Sequence, residues 1–182
     1  GLEYRHVPVH FRNESKKPGY LALNPNGRVP CLKDGELVLF ESLAINLYLC
    51  RKYGLHLMPP GGIDHEARVL QWTLWATNEL DSHLGTLNRQ RVHLPPEERN
   101  PDVVVAAEAA LAAPMRVLDD ALSNREYLVG DRFSVADLNV ASVLATAISA
   151  QYKFRDRANV SAWFSRCFAR DAAKRVTAMA MG

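Results

Sequence analysis

Residues 24–32 read Asn-Pro-Asn-Gly-Arg-Val-Pro-Cys-Leu, a turn-rich stretch that ends in a short apolar run. Pro30 can adopt a cis peptide bond, because proline is the residue that makes this geometry accessible. A cis bond would turn the backbone N–H and C=O of Val29 outward, where an extended peptide could pair with them as an added strand does. The stretch therefore predicts a strand edge whose backbone groups can hydrogen-bond to the backbone of a peptide-like ligand.

Residues 41–49 read Glu-Ser-Leu-Ala-Ile-Asn-Leu-Tyr-Leu and start an apolar pattern with helical spacing. Ser42 is thereby predicted at a helix N-terminus, where free N–H groups and the helix dipole favour a bound carboxylate. Glu41 beside it suits an ammonium group. The pair also has an interpretation without a ligand, in which Ser42 is an N-cap and Glu41 is a first-turn charge.

In residue identity and spacing, the two stretches resemble the glutathione S-transferase superfamily, in particular its cytosolic, bacterial-type members. A motif of the superfamily's helical domain is matched by residues 127–137, which read Tyr-Leu-Val-Gly-Asp-Arg-Phe-Ser-Val-Ala-Asp. The resemblance therefore covers nearly all 182 residues. It implies an incomplete α/β thioredoxin-like N-terminal domain followed by an all-α helical-bundle C-terminal domain. It also implies glutathione as co-substrate, a hydrophobic electrophile as second substrate, and a homodimer.

Carried over residue by residue, the resemblance places glutathione against Val29, Pro30, Glu41 and Ser42. A γ-glutamyl group carries an ammonium and a carboxylate on one carbon, so Glu41 and Ser42 would bind it as a unit. The main chain of Val29, which precedes Pro30, would then bind the cysteinyl backbone.

Basic residues near this site are further candidates. Lys16, thirteen positions before Val29, falls where the resemblance implies a basic residue for the glycyl carboxylate. Lys17 is an adjacent rival, and Arg28 is another candidate. Each of these side chains could instead be solvated on the surface.

The first residues of the chain, Gly1-Leu2-Glu3-Tyr4, resemble the beginning of the second strand of the family fold. The first strand and first helix are therefore expected to precede residue 1. In the family, the loop after that strand carries the Ser, Tyr or Cys that activates the glutathione sulfur, so no catalytic residue is named in this chain. Because a sheet without an internal strand would have unpaired edges, we expect the encoded protein to be longer.

The breaker run Met-Pro-Pro-Gly-Gly at residues 58–62 predicts a domain boundary. We expect the glutathione-binding domain at residues 1–55, a linker at 56–62 and the helical domain at 63–182. In the first domain, a strand is predicted at residues 4–9 and a connection with helical character at 13–23. Strands at 29–32 and 37–40 are joined by a turn at Asp34-Gly35. A helix from Ser42 to Tyr53 follows, with Gly54 at its C′ position.

From residue 63 onward, apolar residues recur at steps of three and four, which predicts an all-α domain. The first such positions are Ile63, Ala67, Leu70 and Leu74. Pro114 is expected to kink the long helix around it rather than end it. Ser134 and Asp137 have the spacing of a capping box and open the segment 135–150, which has so little charge that we expect it to be buried.

The three cysteines, Cys31, Cys50 and Cys167, form no Cys-x-x-Cys pair, which argues against a disulfide framework and favours a reducing cytoplasm. Cys50 and Cys167 lie in helical apolar patterns and are expected in the core. Cys31, next to Pro30, has a second interpretation as the site of a mixed disulfide with glutathione.

Several classes of protein lack support in the sequence. There is no spacing typical of a metal site or a phosphate-binding loop, so no metal is expected. The net charge is only +2 and the basic residues are not interleaved with aromatic ones, which argues against nucleic-acid binding. No apolar run reaches the roughly 18–20 residues that would span a membrane.

Three functions are compatible with these observations. The leading hypothesis is a cytoplasmic glutathione transferase, which stabilises the sulfur of glutathione as a thiolate and promotes its attack on an apolar electrophile. A second hypothesis keeps the glutathione site but assigns it to disulfide reduction, peroxide reduction or isomerisation. A third is a transferase-like domain that serves in assembly and has no turnover.

Overall fold

The computed structural model describes residues 2–181, and the side chains of residues 2–179. The chain has two compact units, Gly1–Gly54 and Leu55–Gly182.

The first unit is a short helical connection followed by a hairpin and a helix. A 3₁₀ turn at Glu14–Lys16 leads into helix α1 (Pro18–Leu21), which gives residues 13–23 the helical character predicted for them. Strand β1 (Cys31–Asp34) then pairs antiparallel with strand β2 (Leu37–Phe40).

The hairpin turn and the helix after it follow local sequence signals. Gly35 in the turn has φ 61°, a conformation that favours glycine. The hairpin turn is present, but it lies one residue later than predicted, at Gly35-Glu36, because Asp34 still pairs with Leu37 in the ladder. Helix α2 (Ser42–Tyr53) begins and ends at the predicted residues and buries Ile45 and Cys50.

The strand predicted at residues 4–9 is wrong, because these residues have no regular secondary structure. Within the described sheet, β1 pairs only with β2, so the segment has no neighbouring strand. Tyr4 and Val7 are also exposed, so its alternating pattern is not anchored by a core.

Two other element ends differ from the prediction. The strand predicted at residues 29–32 is found at Cys31–Asp34, because Pro30 has no N–H to donate to a ladder. Gly54 is the C-cap of α2 rather than its C′ residue, since its N–H still bonds to the carbonyl of Cys50 at 2.9 Å.

A carboxylate fastens the hairpin to α2. Asp34, the last residue of β1, accepts hydrogen bonds from the hydroxyls of Tyr48 and Tyr53 at 2.9 and 2.7 Å, and from the ammonium of Lys52 at 2.8 Å. These bonds, led by that from Lys52, lower the pKa of the Asp34 carboxyl to about 2. Lys52 also lies against both tyrosine rings, 5.4 and 5.0 Å from their centres.

The second unit is all-α, as predicted. Its helices are α3 (Gly62–Trp75), α4 (Ser82–Asn88), α5 (Pro101–Ala121), α6 (Val135–Leu144), α7 (Thr146–Ser149), α8 (Ala158–Phe168) and α9 (Asp171–Met181). Wide π-helical turns at Ala76–Asp81 and Arg89–His93 join and extend α3 and α4. Pro114 lies inside α5, which continues past it. Among residues 2–181, every helix is too short or too polar to cross a bilayer.

The buried segment predicted at residues 135–150 is the centre of this unit. Most residues of α6 are fully buried, although a turn at Ala145 separates α6 from α7 instead of one continuous helix. Asp137 is completely buried and receives four hydrogen bonds. Its donors are the N–H groups of Leu128 and Ser134, the Ser134 hydroxyl and the Trp163 indole, at 2.8 to 3.0 Å. The role of Ser134 and Asp137 is therefore structural, as predicted.

The apolar stripe at the start of the second unit faces outward. Ile63, Leu70 and Leu74 are 76%, 52% and 61% exposed, whereas Val69 and Thr73 on the opposite side of α3 are buried. Their spacing correctly predicts a helix, but it marks the outer face of that helix and not its core side.

Candidate functional site

The register of the hairpin brings the two predicted motifs to one end of the sheet. Cys31 lies opposite Phe40, so the residues just before Cys31 and just after Phe40 leave the ladder together. Directly opposite residues in such a ladder are about 4.5–5.5 Å apart. The pairs Val29-Pro30 and Glu41-Ser42 therefore lie at the same end of the hairpin, although twelve positions separate them in the chain.

The Val29–Pro30 peptide bond is cis, as the sequence predicts. Val29 is 44% exposed and lies outside the ladder. Within residues 2–181, neither its backbone N–H nor its carbonyl has a hydrogen-bond partner. These groups are available to a ligand that presents its own backbone.

Glu41 occupies the N-cap position of α2, and Ser42 is the first helical residue. The interpretation in which Ser42 is the N-cap is therefore wrong. Within the described part of the chain, neither side chain has a hydrogen-bond partner, and both residues are exposed. Glu41 also has φ 71° and ψ 109°, a strained backbone conformation for a residue with a side chain, and such conformations cluster at functional sites. Both polar side chains are thus free to bind a ligand beside the helix N-terminus.

The predicted basic residues lie around the turn that leads to Val29. The ammonium of Lys16 donates to the carbonyl of Gly27 at 2.5 Å, which places it against this turn. The guanidinium of Arg28 has no hydrogen-bond or ion-pair partner among residues 2–181. Lys17 is likewise exposed. Lys16 is therefore held against the turn that leads to Val29, and Arg28 directly precedes Val29 in the chain.

Two residues of the site were missed by the sequence analysis. Asn24 is only 2% exposed, and its amide donates to the carbonyl of Arg28 at 2.6 Å. The hydroxyl of Tyr20 donates to the same carbonyl at 2.8 Å. The spacing of four residues between Lys16, Tyr20 and Asn24 is the signal that could have grouped them.

Family models for the N-terminal and C-terminal domains of glutathione S-transferases match residues 1–51 and 89–171. A probable glutathione S-transferase of Oryza sativa subsp. japonica is 34% identical over 98% of this chain and 86% of its own length. The chain belongs to the glutathione S-transferase family.

Further relatives of this transferase come from a bacterium and from maize. The glutathione S-transferase GstB of Escherichia coli (strain K12) is 32% identical over 86% of this chain and 76% of its own length. Maize glutathione S-transferase I, solved in complex with an atrazine glutathione conjugate, has a TM-score of 0.84 and 32% identity, and the match covers 97% of this chain and 85% of the maize chain.

These relationships confirm the predicted fold class, the predicted glutathione transferase activity and glutathione as the co-substrate. Plant and bacterial proteins are both among the relatives, so the bacterial-type assignment stays a prediction.

The cysteines of the transferase are free thiols. Cys50 and Cys167 are buried, as predicted, and burial raises the pKa of both, that of Cys167 to about 12. Burial also raises the pKa of Cys31, which keeps this thiol protonated. The mixed disulfide at Cys31 stays a prediction. In the described part of the chain, no three His, Cys, Asp or Glu side chains cluster in a way that could hold a metal ion.

Proposed function

We propose that this transferase binds glutathione at the open end of the β1–β2 hairpin and promotes attack of its thiolate on an apolar electrophile. The observation that carries the proposal is the placement of two unpartnered polar side chains, Glu41 and Ser42, at the same hairpin end as the unpaired backbone of Val29.

Each part of glutathione has a counterpart at this end. The Glu41 carboxylate binds the γ-glutamyl ammonium, and Ser42 with the first N–H groups of α2 binds the γ-glutamyl carboxylate. Val29, before the cis bond to Pro30, donates its N–H to the cysteinyl carbonyl and accepts from the cysteinyl N–H.

The glycyl carboxylate is the remaining charged group. Lys16 is held at Gly27 by one of its three ammonium donors, so two more remain for an anion. Arg28 is the second candidate, because its guanidinium has no partner among the described residues. Binding by either residue would also place positive charge near the ligand, which favours the thiolate form of its sulfur.

The proposal assigns residues 1–55 to glutathione binding, residues 56–62 to a linker and residues 63–182 to the helical domain. We further propose a cytoplasmic location, which the three free thiols support. The transferase is proposed to be a homodimer, because α3 exposes the stripe Ile63, Leu70 and Leu74, and a second copy of the chain would cover it.

The proposal is tested by thermal unfolding with and without glutathione. A ligand at about 100 times its dissociation constant stabilises the folded state by ~2.7 kcal/mol, which raises Tm by several degrees in a protein of this size. We expect this rise in the parent and its loss in Glu41→Ala. Glu36→Ala is the matched control, since Glu36 is an exposed glutamate in the hairpin turn at the other end of the ladder. If the parent shows no rise, or Glu41→Ala keeps it, the proposed site is wrong.

A further inference from the structure

The carbonyl of Arg28 is held by two side chains at once. Tyr20 donates its hydroxyl to this oxygen at 2.8 Å, and Asn24 donates its amide at 2.6 Å. A carbonyl oxygen has two lone pairs, so both of its acceptor sites are in use. Both donors precede the hairpin in the chain, Tyr20 in α1 and Asn24 in the turn after it.

This carbonyl belongs to the same peptide unit as the N–H of Val29. The Arg28–Val29 bond is not among the cis bonds of the described chain, and in a trans peptide the C=O and N–H groups point in opposite directions within one plane. Fixing the Arg28 carbonyl therefore fixes the direction of the Val29 N–H. It points this N–H away from Tyr20 and Asn24, and it has no partner within residues 2–181.

The two donors are themselves held in place. Asn24 is buried, its side-chain oxygen accepts from the N–H of Asn26 at 3.1 Å, and its backbone carbonyl accepts from the N–H of Gly27 at 2.8 Å. Tyr20 is half-buried, and burial, followed by the nearby thiol of Cys31, raises the pKa of its hydroxyl. The hydroxyl therefore keeps its proton and remains a donor.

We propose that Tyr20 and Asn24 are positioning residues for glutathione, because by holding the Arg28 carbonyl they aim the Val29 N–H at the cysteinyl carbonyl of the ligand. This inference rests on the proposed glutathione site. It adds two residues that do not touch the ligand and act through one peptide plane.

The test compares two tyrosines and two ligands. Tyr20→Phe removes the hydroxyl that holds the Arg28 carbonyl, and Tyr48→Phe is the matched control, because its hydroxyl bonds to Asp34 instead, within the same unit. Affinity is measured by calorimetry on the full chain for glutathione and for γ-glutamylcysteamine, which lacks the cysteinyl carbonyl and the glycyl residue attached to it. Unfolding by urea without ligand measures the stability of each variant.

We expect Tyr20→Phe to weaken glutathione binding about three- to tenfold, the amount that one hydrogen bond contributes, and to leave γ-glutamylcysteamine binding within about twofold of the parent. Tyr48→Phe should leave both affinities within about twofold. Ser42→Ala should weaken both ligands, since it contacts the γ-glutamyl group that they share. A purely structural role of Tyr20 would instead weaken both ligands equally.

The inference is overturned if Tyr20→Phe weakens the two ligands by the same factor or leaves glutathione binding unchanged. Asn24→Asp is the second variant: it keeps the acceptor for Asn26 but loses the donor to Arg28, so it should show the same ligand selectivity. A parent protein that binds neither ligand would refute the proposed function, and the inference with it. A parent that binds glutathione, with variants that show no selectivity, would refute the inference alone.

Discussion

Replacing Glu41 by glycine should leave the protein more stable than replacing it by alanine, although both changes remove the same carboxylate. Glu41 has φ 71° and ψ 109°, and a side-chain-bearing residue in such a region costs about 1–3 kcal/mol. Alanine keeps this cost. Glycine relieves it but adds about 0.5–1 kcal/mol of flexibility to the unfolded chain. The difference in the free energy of unfolding should therefore lie between about 0 and 2.5 kcal/mol in favour of glycine, about 1.3 kcal/mol at the middle of both ranges.

The measurement is urea unfolding without ligand, followed by circular dichroism. Glu36 gives the matched control, because it lies in the hairpin turn and is not among the described residues with positive φ. At position 36 glycine should be no more stable than alanine. Both Glu41 variants should lose the rise in Tm with glutathione. If glycine and alanine at position 41 differ in the same direction and amount as at position 36, the strain argument fails.

Three further predictions concern stability and assembly. Asp137→Ala should lower the free energy of unfolding by roughly 3–6 kcal/mol, because it leaves three buried N–H groups, including that of Trp163, without an acceptor. A urea titration that shows a loss below about 1 kcal/mol would contradict this prediction. The pKa of Asp34 is about 2 in the folded protein against roughly 3.9 in the unfolded chain, so the contribution of Asp34 to the free energy of unfolding is present above pH 4 and is lost as pH falls towards 2. Asp34→Asn should therefore flatten the dependence of stability on pH between pH 4 and pH 2. An unchanged dependence would refute this prediction. Leu70→Glu should shift the protein from dimer to monomer in analytical ultracentrifugation. Val105→Glu, at a comparably exposed apolar residue of α5, should leave the dimer intact. If the two variants behave alike, α3 is not the dimer interface.

Local signals in the sequence predicted much of the site. Pro30 indicated the cis bond, the pair Asp34-Gly35 indicated the turn, and the apolar pattern after Ser42 indicated the helix. Each of these features depends on residues a few positions apart, so the sequence contains the physical cause. The hairpin register then follows from the turn, and the register brings Val29 and Glu41 to the same end.

The parts that were wrong or missed depend on contacts between segments. Alternation at residues 4–9 cannot show whether a neighbouring strand is present, and without one the segment is irregular. The apolar residues Leu70 and Leu74 have helical spacing, but spacing alone does not tell which face of α3 meets the core. The four-residue spacing of Tyr20 and Asn24 could have grouped these two residues, but it does not show that both bond to the carbonyl of Arg28, because that depends on the path of an irregular turn.

The unpaired backbone of Val29 has a consequence for how the sequence can change over time. A contact made by main-chain atoms is indifferent to the side chain attached to them, so alanine, leucine or isoleucine at position 29 would present the same N–H and carbonyl. Proline is the exception, because it has no N–H to offer. Positions 41 and 42 have no such freedom, since their side-chain atoms are proposed to make the contacts. Sequence drift is therefore tolerated at one half of the site and selected against at the other.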